Sequence, residues 1–301
     1  MSITKHELSS SDAQAMQAMR AMFAAAPKLR FASESRAAFD EIMARVPAPE
    51  DVSFAQGTVG GVPGWWCRPA HAARGSVILY LHGGGYVLGS AAAYRNFVGH
   101  IAERANATAF IADYALAPER PFPAAPDDVL ALYRGLLASG HERIALCGDS
   151  AGAGLALSFV AGTVKRERLV CVVAMSPWID LSVSGESMVS RADQDPLLSR
   201  ATLTEAAAHY LGGHEVEELG LATLESDLSQ IPPVRIDVGD AEVLLDDSLR
   251  FARKAEQAGR SCDVHVWEGM IHVFPSSFAM LQAAAAALDE LGSFLAGMLA
   301  R

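Results

Sequence analysis

A serine flanked by glycines is the residue of this chain best suited to nucleophilic chemistry. It lies in Gly148-Asp-Ser150-Ala-Gly152, which fits the pattern G-x-S-x-G and follows the apolar run Ile144–Cys147. In that pattern a strand turns sharply into a helix and presents the serine hydroxyl above a sheet. A helical run follows directly, which favours a nucleophile over a serine in an ordinary glycine-rich turn. The predicted chemistry is acyl transfer through Ser150.

A second glycine-rich motif, His82-Gly-Gly-Gly85, comes directly after the apolar run Val77–Leu81. Acyl transfer needs backbone N–H groups aimed at the developing oxyanion, and glycines let the backbone approach it without a Cβ. The predicted donors are two of the three glycines, together with the residue after the serine: Gly83, Gly84, Gly85 and Ala151. The chain has no glycine motif of the phosphate-binding kinds, which disfavours a nucleotide site.

The general base is expected among the histidines that follow Ser150, because the chain order for this motif is serine, acid, histidine. This also makes His82 a structural residue rather than the base. His209 and His214 fall in a segment expected to cover the sheet, and His265 lies inside a strand pattern. His272 follows that strand in a loop, where its imidazole can reach the carboxyl end of the sheet. His272 is therefore the predicted base.

The acid is expected after the apolar run Val234–Val238, where four carboxylates follow within nine residues. Asp246 and Asp247 are expected to begin the next helix, where carboxylates meet free N–H groups. Asp240 and Glu242 both remain, because either carboxylate can hold the imidazole in the required tautomer.

The elements that position these residues alternate from about residue 76 onward. Helices are predicted over 91–105, 125–138, 151–163, 246–258 and 278–299, and the short apolar runs between them are typical of buried parallel strands: Val77–Leu81, Thr108–Ala112, Ile144–Cys147, Val170–Val173, Val234–Val238 and Val264–Trp267. This alternation predicts an α/β fold with a mostly parallel sheet flanked by helices. Two antiparallel edge strands, Val52–Val59 and Gly64–Arg68, bring the sheet to about eight strands.

Two segments lie outside the alternation, residues 1–50 and about 180–220. Apolar residues recur at helical spacing in the first, among them Met16, Met19 and Phe23. We therefore predict cap helices in 1–50 and a catalytic domain over 51–301 that carries a second cap insertion at about 180–220.

Composition excludes several classes of protein. The 301 residues include 24 basic and 35 acidic side chains, a net charge of −11, and 51% are apolar. That charge disfavours nucleic acid and anionic membranes as partners, and the apolar content argues against disorder. Residues 269–288 are uncharged, but their polar residues and Pro275 argue against a membrane span.

Four widely spaced cysteines fit neither a zinc motif nor a disulfide framework, and the first dozen residues lack the apolar stretch of a signal peptide. A cytoplasmic protein with no metal and no cofactor is expected.

Several motifs in order give the chain a specific resemblance. They are His82-Gly-Gly-Gly-Tyr86, Tyr114-Ala-Leu-Ala-Pro-Glu119, Gly148-Asp-Ser-Ala-Gly152, Ser176-Pro-Trp178 with Asp180, Glu242-Val-Leu244 and Gly269-Met-Ile-His272. Over residues 50–301 the chain resembles the bacterial hormone-sensitive-lipase-like family of α/β-hydrolases. The resemblance implies a serine esterase for short acyl esters, with a helical cap. The family's acid lies in a motif that is usually Asp-Pro-Leu, which aligns with Glu242-Val-Leu244 and makes Asp240 the runner-up.

Three alternatives stay open. The segment Asp180–Glu186 is similar to that of family members that hydrolyse monoterpene ε-lactones, so a cyclic ester is an alternative substrate. Relatives of this fold that have lost catalytic residues act as binding proteins, but a serine, acid candidates and a histidine are all present here. A peptidase is the third alternative, because the same set of catalytic residues also cleaves amides. The expected partner is a small ester or lactone, and a homodimer is an open alternative.

Overall fold

A nine-stranded sheet forms the centre of the computed structural model, which describes residues 2–26, 30–161, 167–216 and 223–300. Its strands, in chain order, are β1 Ser2–His6, β2 Val52–Val59, β3 Val62–Pro69, β4 Ala73–Leu81, β5 Ala107–Ala112, β6 Arg143–Asp149, β7 Leu169–Met175, β8 Val234–Gly239 and β9 Cys262–Trp267. Their spatial order is β1-β9-β8-β7-β6-β4-β5-β3-β2. All neighbours pair in parallel except β2 with β3 and β3 with β5.

The helices lie between these strands. They are α1 Ser10–Ala25, α2 Arg36–Met43, α3 Ala91–Arg104, α4 Ala124–Ala138, α5 Ser150–Val160, α6 Ser187–Ser190, α7 Arg200–Leu211, α8 Leu245–Gln257 and α9 Gln282–Ala300. Short 3₁₀ turns cover Ser33–Ser35 and Phe274–Ser277. The predicted α/β alternation is confirmed, as is the antiparallel β2–β3 pair at the sheet edge. The end predicted for α5 lies at residues 162–163, which are outside the described residues.

The expectation of about eight strands was wrong by one strand. Residues 2–6 form β1, which pairs in parallel with β9 at the other edge of the sheet. The sequence Ser-Ile-Thr-Lys-His is short and polar, and four of its five residues are exposed. Because β1 is held by backbone hydrogen bonds rather than by an apolar face, periodicity gives no signal for it. The first fifty residues are thus not helical throughout.

Two apolar layers enclose the sheet, because successive side chains along each strand point to opposite faces. Along β4, Val77, Leu79 and Leu81 pack into the layer that includes residues of α4, α5 and α8. Ile78 and Tyr80 pack into the other layer, beneath α3 and α9. Both faces of β4 are therefore buried, as expected for a central parallel strand.

Among the described residues, α9 is the one helix whose length and apolar composition would allow it to cross a membrane. Leu288, Leu291 and Leu295 along it are fully buried, and they pack with the strands in the second apolar layer. This packing gives the apolar composition of α9 a structural reason, which is its place in the protein core.

The N-terminal helices contact the loops that follow β4 and β5 and the segment between β7 and β8. The guanidinium of Arg36, on α2, donates to the carbonyl oxygens of Val87 and Ala117 at 2.8 and 2.9 Å. Arg30 forms an ion pair with Glu205 of α7 at 2.7 Å, and Arg20 donates to the carbonyl oxygen of Gln194. The N-terminal helices thus contact both the loop after β4 and the insertion that carries α6 and α7.

Candidate active site

The turn from β6 into α5 presents Ser150. This residue has a φ of 52°, a left-handed conformation that non-glycine residues rarely adopt. Small neighbours make the turn possible: a Cβ added to Gly152 would lie 2.1 Å from the carbonyl oxygen of Leu81. The carbonyl of Ser150 accepts a hydrogen bond at 3.0 Å from the N–H of Trp178. The strained turn is therefore held by packing and hydrogen bonding on both sides.

The structure brings His272 and Glu242 to Ser150. The distance from His272 Nε2 to Ser150 Oγ is 2.8 Å, and that from His272 Nδ1 to Glu242 Oε1 is 3.3 Å. This arrangement suits a neutral imidazole that donates from Nδ1 to the carboxylate and accepts the serine hydroxyl at Nε2. A serine, a base and an acid thus form one continuous chain of polar contacts.

The acid is fixed from its other side by Ser176. Ser176 Oγ donates to Glu242 Oε2 at 2.8 Å, and it accepts from the N–H of Val273 at 3.0 Å. The N–H of Gly239 also donates to Oε2, at 3.2 Å. Because Val273 directly follows His272, Ser176 joins the acid to the loop of the base. The sequence pattern around Ser176-Pro-Trp178 gives no sign of this role.

Burial and charge act against each other at His272. Burial by itself lowers the pKa of the imidazole, but the hydrogen bond to Glu242 and the charges of Glu242, Asp195 and Asp149 outweigh it, so the net pKa is raised. Burial raises the pKa of Glu242, and His272 opposes that rise. The carboxylate thus favours the protonated imidazole, as a base in acyl transfer requires.

Asp240, the alternative acid, lies nearby but contacts a different group. Its Oδ1 accepts a hydrogen bond at 2.7 Å from the N–H of Gly269, and its carbonyl oxygen accepts from Arg191 Nε at 2.7 Å. Asp240 therefore supports the loop that leads to His272, whereas the carboxylate that contacts the imidazole belongs to Glu242.

The two remaining carboxylates lie in the first turn of α8, as expected from the sequence. Asp247 is fully buried, and its Oδ2 accepts from the N–H groups of Ile179 and Asp180 at 2.7 and 2.8 Å. Burial raises the pKa of Asp247 to about 7. Asp246 accepts from the N–H of Ser187 at 3.1 Å. Both side chains connect α8 to the insertion and neither contacts His272 in the structure.

The loop after β4 carries the predicted oxyanion donors, and one of them is already engaged. The N–H of Gly83 donates at 2.9 Å to Oδ1 of Asp149, so it is not available to an oxyanion. Within the described ranges, the N–H groups of Gly84 and Gly85 donate to no other backbone group. Ala151 lies in the first turn of α5, where N–H groups lack a helical partner. The set of candidate donors narrows to Gly84, Gly85 and Ala151.

Asp149, the residue before the serine, was missed at the sequence level. It is buried, and it also accepts from the hydroxyls of Tyr80 and Tyr94 at 2.7 and 3.1 Å. Burial raises its pKa to about 6, and these hydrogen bonds oppose the rise. A Cβ on Gly83 would lie 2.2 Å from Asp149 Oδ2. Asp149 therefore fixes the glycine loop to the serine turn, and the acid in the second position of the motif was its only sequence signal.

The surroundings of His82 are those of a structural residue, as the sequence predicts. It is fully buried, its Nδ1 contacts the carbonyl oxygen of Gly83 at 2.7 Å, and its ring stacks on Tyr114 at 4.6 Å between centroids. Burial lowers the pKa of this imidazole to about 4. A neutral ring packed under the glycine loop fits a positioning role. Of the other histidines, His209 lies on α7 and His265 lies on β9 beside His6.

Asp195 is a second buried acid that sequence reasoning missed. Its Oδ1 accepts from the N–H groups of Leu197 and Leu198, both at 2.9 Å. Its Oδ2 accepts from the N–H of Val243, also at 2.9 Å. The signal that was available is the sequence Asp195-Pro-Leu-Leu198, in which an acid precedes a turn and a helix. Its partner 48 residues away is visible only in the fold.

Several known proteins resemble this chain in sequence and in fold. A family described as having the α/β-hydrolase fold matches residues 78–276 of the chain. An acetyl-hydrolase of Streptomyces hygroscopicus is 38% identical over 245 residues, which is 79% of this chain and 81% of that protein. A crystal structure of an esterase from the bacterial hormone-sensitive lipase family superposes with a TM-score of 0.88 at 35% identity, covering 98% of this chain and 100% of the other. The chain belongs to the bacterial hormone-sensitive-lipase-like family of α/β-hydrolases.

Two further relatives agree with this assignment. An esterase of Acinetobacter venetianus is 33% identical over 264 residues, covering 86% of this chain and 87% of that protein. The structure of EstE5 soaked with p-nitrophenyl butyrate has a TM-score of 0.87 at 32% identity, over 98% of this chain and 100% of the other. As a member of this family, the protein is a carboxylic ester hydrolase.

An aromatic contact in this family member connects the glycine loop to the insertion. Tyr86 follows Gly85, and its ring stacks on that of Tyr210 of α7 with 3.9 Å between centroids. Tyr86 also lies 5.8 Å from the ring of Trp178. The predicted oxyanion loop is therefore in direct contact with the segment predicted to cap the site.

Proposed function

We propose that the protein hydrolyses short-chain acyl esters through an acyl-Ser150 intermediate, with His272 as the general base and Glu242 as its orienting acid. The observation that carries this proposal is the 2.8 Å contact between His272 Nε2 and Ser150 Oγ, with Glu242 on the other ring nitrogen. A base within hydrogen-bond reach of the nucleophile and held by a third group is the arrangement that activates a serine.

In the acylation step, Ser150 Oγ attacks the ester carbonyl carbon while His272 Nε2 takes the hydroxyl proton. The carbonyl oxygen becomes an oxyanion, for which the N–H groups of Gly84, Gly85 and Ala151 are the proposed donors. The ester C–O bond then breaks, and His272 returns the proton to the leaving alcohol oxygen. Glu242 stabilises the imidazolium that exists between these two transfers.

In the deacylation step, a water molecule takes the place of the alcohol. His272 removes a proton from that water, whose oxygen attacks the acyl carbon. The tetrahedral intermediate formed by this attack collapses, the carboxylic acid leaves, and the proton on His272 returns to Ser150 Oγ. No cofactor or metal ion enters either step.

The proposed preference for short acyl groups rests on how tightly the site is enclosed. Ser150 is 8% exposed, and the side chain of His272 is 9% exposed. Tyr86, which follows Gly85 of the glycine loop, packs against the rings of Trp178 and Tyr210. The names of two relatives, an acetyl-hydrolase and a structure soaked with a butyrate ester, support the same acyl size.

The lactone alternative rests on the segment Asp180–Glu186. In this segment Asp180 accepts from the hydroxyls of Ser182 and Ser184, both at 2.5 Å, and pairs with Arg250 at 2.8 Å. These contacts lower the pKa of Asp180 to about 2, against the effect of burial. Polar groups of the segment thus stabilise a turn, and this gives no specific support to a cyclic substrate. The complete set of serine, base and acid also favours an enzyme over a binding protein.

A cytoplasmic location is part of the proposal. All four cysteines are free thiols, and all are buried, which suits a reducing compartment. We also propose that the protein forms a homodimer. Sedimentation velocity at assay concentration tests this.

The test of the proposed function is covalent labelling combined with turnover. A fluorophosphonate should add one adduct to the protein, and peptide mass spectrometry should assign that adduct to Ser150. The labelled protein should no longer hydrolyse p-nitrophenyl butyrate. An adduct on another residue, or full hydrolysis by the labelled protein, would refute the mechanism.

A further inference from the structure

Three metal-ligating side chains meet at the edge of the sheet, in a place that the proposed mechanism does not use. His6 ends β1, His265 lies in β9, and Glu290 lies on α9. His6 Nε2 is 2.9 Å from His265 Nδ1, and His265 Nδ1 is 3.4 Å from Glu290 Oε2. All three ligand atoms lie within 4.8 Å of one another, and all three residues are half-buried. No other such group occurs among the described residues.

The spacing of these atoms matches the needs of a small transition-metal ion. Zinc binds histidine nitrogens and carboxylate oxygens at about 2.0–2.2 Å in a tetrahedral arrangement, which places neighbouring ligand atoms about 3.3–3.5 Å apart. The observed 2.9 and 3.4 Å need only small side-chain movements to reach that separation. Three protein ligands leave the fourth position to water, and the half-buried edge gives water access.

Neighbouring groups already hold the ligands in place. The ring of His6 stacks on Trp267 with 3.6 Å between centroids and an angle of 6°. Arg235 donates to Glu290 Oε2 at 3.0 Å, and it also donates twice to Asp237, at 2.8 and 2.9 Å. Because buried Asp237 balances the Arg235 charge, the guanidinium holds Glu290 Oε2, the oxygen that also faces His265, without leaving a net positive charge there. Such outer contacts are typical of metal sites.

Two imidazole nitrogens face each other in this cluster. One of them must carry a proton for the 2.9 Å contact to be favourable, and the same His265 nitrogen also faces the Glu290 carboxylate. A bound cation would accept the lone pairs of both nitrogens and a carboxylate oxygen at once.

We propose that His6, His265 and Glu290 bind one zinc-like divalent transition-metal ion that joins β1 to β9 and α9. The residues lie 259 and 25 positions apart in the chain, which is why their spacing in the sequence gives no metal signal. The site is structural: it stabilises the strand from which the chain continues into α1, and it takes no part in ester hydrolysis.

The test uses the full-length protein, freed of metal with a chelator that is then removed. Titration with Zn²⁺ in a calorimeter should show one saturable site, and Zn²⁺ should raise the melting temperature, because an ion that binds the folded state stabilises it. Co²⁺ in place of Zn²⁺ should give the intense visible absorption of a tetrahedral site. Removing a ligand, in His6→Ala or Glu290→Gln, should weaken zinc binding at least about tenfold. His71→Ala, which changes an exposed histidine elsewhere, is the matched control.

Circular dichroism and p-nitrophenyl butyrate hydrolysis without metal will show that the variants are folded. The proposal is overturned if the wild type shows no saturable zinc binding, or if His6→Ala and Glu290→Gln bind zinc as the wild type does. Zinc held by His272 instead would inhibit hydrolysis equally in the wild type and in His6→Ala. If that site accounted for all the bound zinc, the proposal would also fail.

Discussion

Asp195 Oδ2 accepts a hydrogen bond at 2.9 Å from the backbone N–H of Val243, the residue that follows Glu242. The insertion therefore holds the loop that carries the acid. The charge of Asp195 also raises the pKa of both Glu242 and His272. Asp195 contacts neither the nucleophile nor the base, so we regard it as a positioning residue.

Replacing Asp195 changes both its charge and its hydrogen bonds. Asp195→Asn removes the charge and keeps one of the two accepting oxygens, so the pKa of His272 should fall. The acid limb of kcat/KM should then move to lower pH, because the neutral imidazole is the active form. Asp195→Ala should in addition lower kcat by about 10- to 100-fold through displacement of the acid loop. Exposed Asp193→Asn is the control. An unchanged pH profile in Asp195→Asn would contradict this role.

Substitution of the two candidate acids should give different losses. Glu242→Ala should lower kcat by about 10³-fold or more, because the imidazole loses the group that sets its tautomer. Asp240→Ala should cost much less, since the side chain of Asp240 accepts from the N–H of Gly269 and not from His272. Steady-state hydrolysis of p-nitrophenyl butyrate measures both. If Asp240→Ala is the more damaging change and both variants remain folded, the two roles must be exchanged.

Ser150→Ala should leave the fold intact and lower kcat by about four to six orders of magnitude, because no other group supplies the attacking oxygen. The left-handed backbone at this position is strained with any side chain, so replacing serine by alanine removes the hydroxyl and leaves the backbone strain almost unchanged. Thermal melting verifies the fold, and an activated ester measures the rate. Near-normal turnover by this variant would disprove the nucleophile assignment.

Short acyl chains should be hydrolysed better than long ones. A p-nitrophenyl series from acetate upward should show kcat/KM highest for the short members, since Ser150 and the side chain of His272 are largely buried. The ratio kcat/KM is the right measure because it reports discrimination between substrates. A lactone panel run beside the series tests the cyclic alternative. A steady rise through acyl lengths of about twelve carbons would be inconsistent with the enclosed site.

Asp247→Asn should change how stability depends on pH. The pKa of Asp247 is raised from 3.8 to about 7, so between these values the native state binds more protons than the unfolded state. Stability due to this group therefore falls as pH rises through that window, by an amount of order a few kcal/mol. The asparagine side chain of the variant does not ionise, so the variant does not lose this stability as the pH rises. Urea unfolding from pH 4 to pH 8 should show its stability rising relative to wild type, and a constant difference would contradict the prediction.

The sequence predicted those parts of the fold that depend on local patterns, and it singled out two residues that the structure brings together, Ser150 and His272. Ser150 and its flanking glycines lie between a recognisable strand and helix, and His272 lies in the loop that follows the last strand. Apolar periodicity likewise located the central parallel strands. In these cases the residues that decide the structure are neighbours in the chain, so a pattern of a few residues contains the information.

Contacts between distant residues were beyond the sequence. Asp240 and Glu242 differ by two positions, and which one meets His272 depends on how two loops pack. Asp149 and Asp195 appear as ordinary acids until their partners, Gly83 and Val243, are brought beside them by the sheet. Strand β1 was missed because its stabilising bonds belong to the backbone.

The stacking of Tyr86 on Tyr210 has a consequence for any attempt to redesign the substrate range. Tyr86 adjoins Gly85 in the glycine loop, while Tyr210 belongs to the insertion. Substitutions in α7 that enlarge the space for the acyl chain will also shift the ring against which the loop is packed. We therefore expect variants selected for larger substrates to gain binding at the expense of turnover unless the aromatic pair is kept.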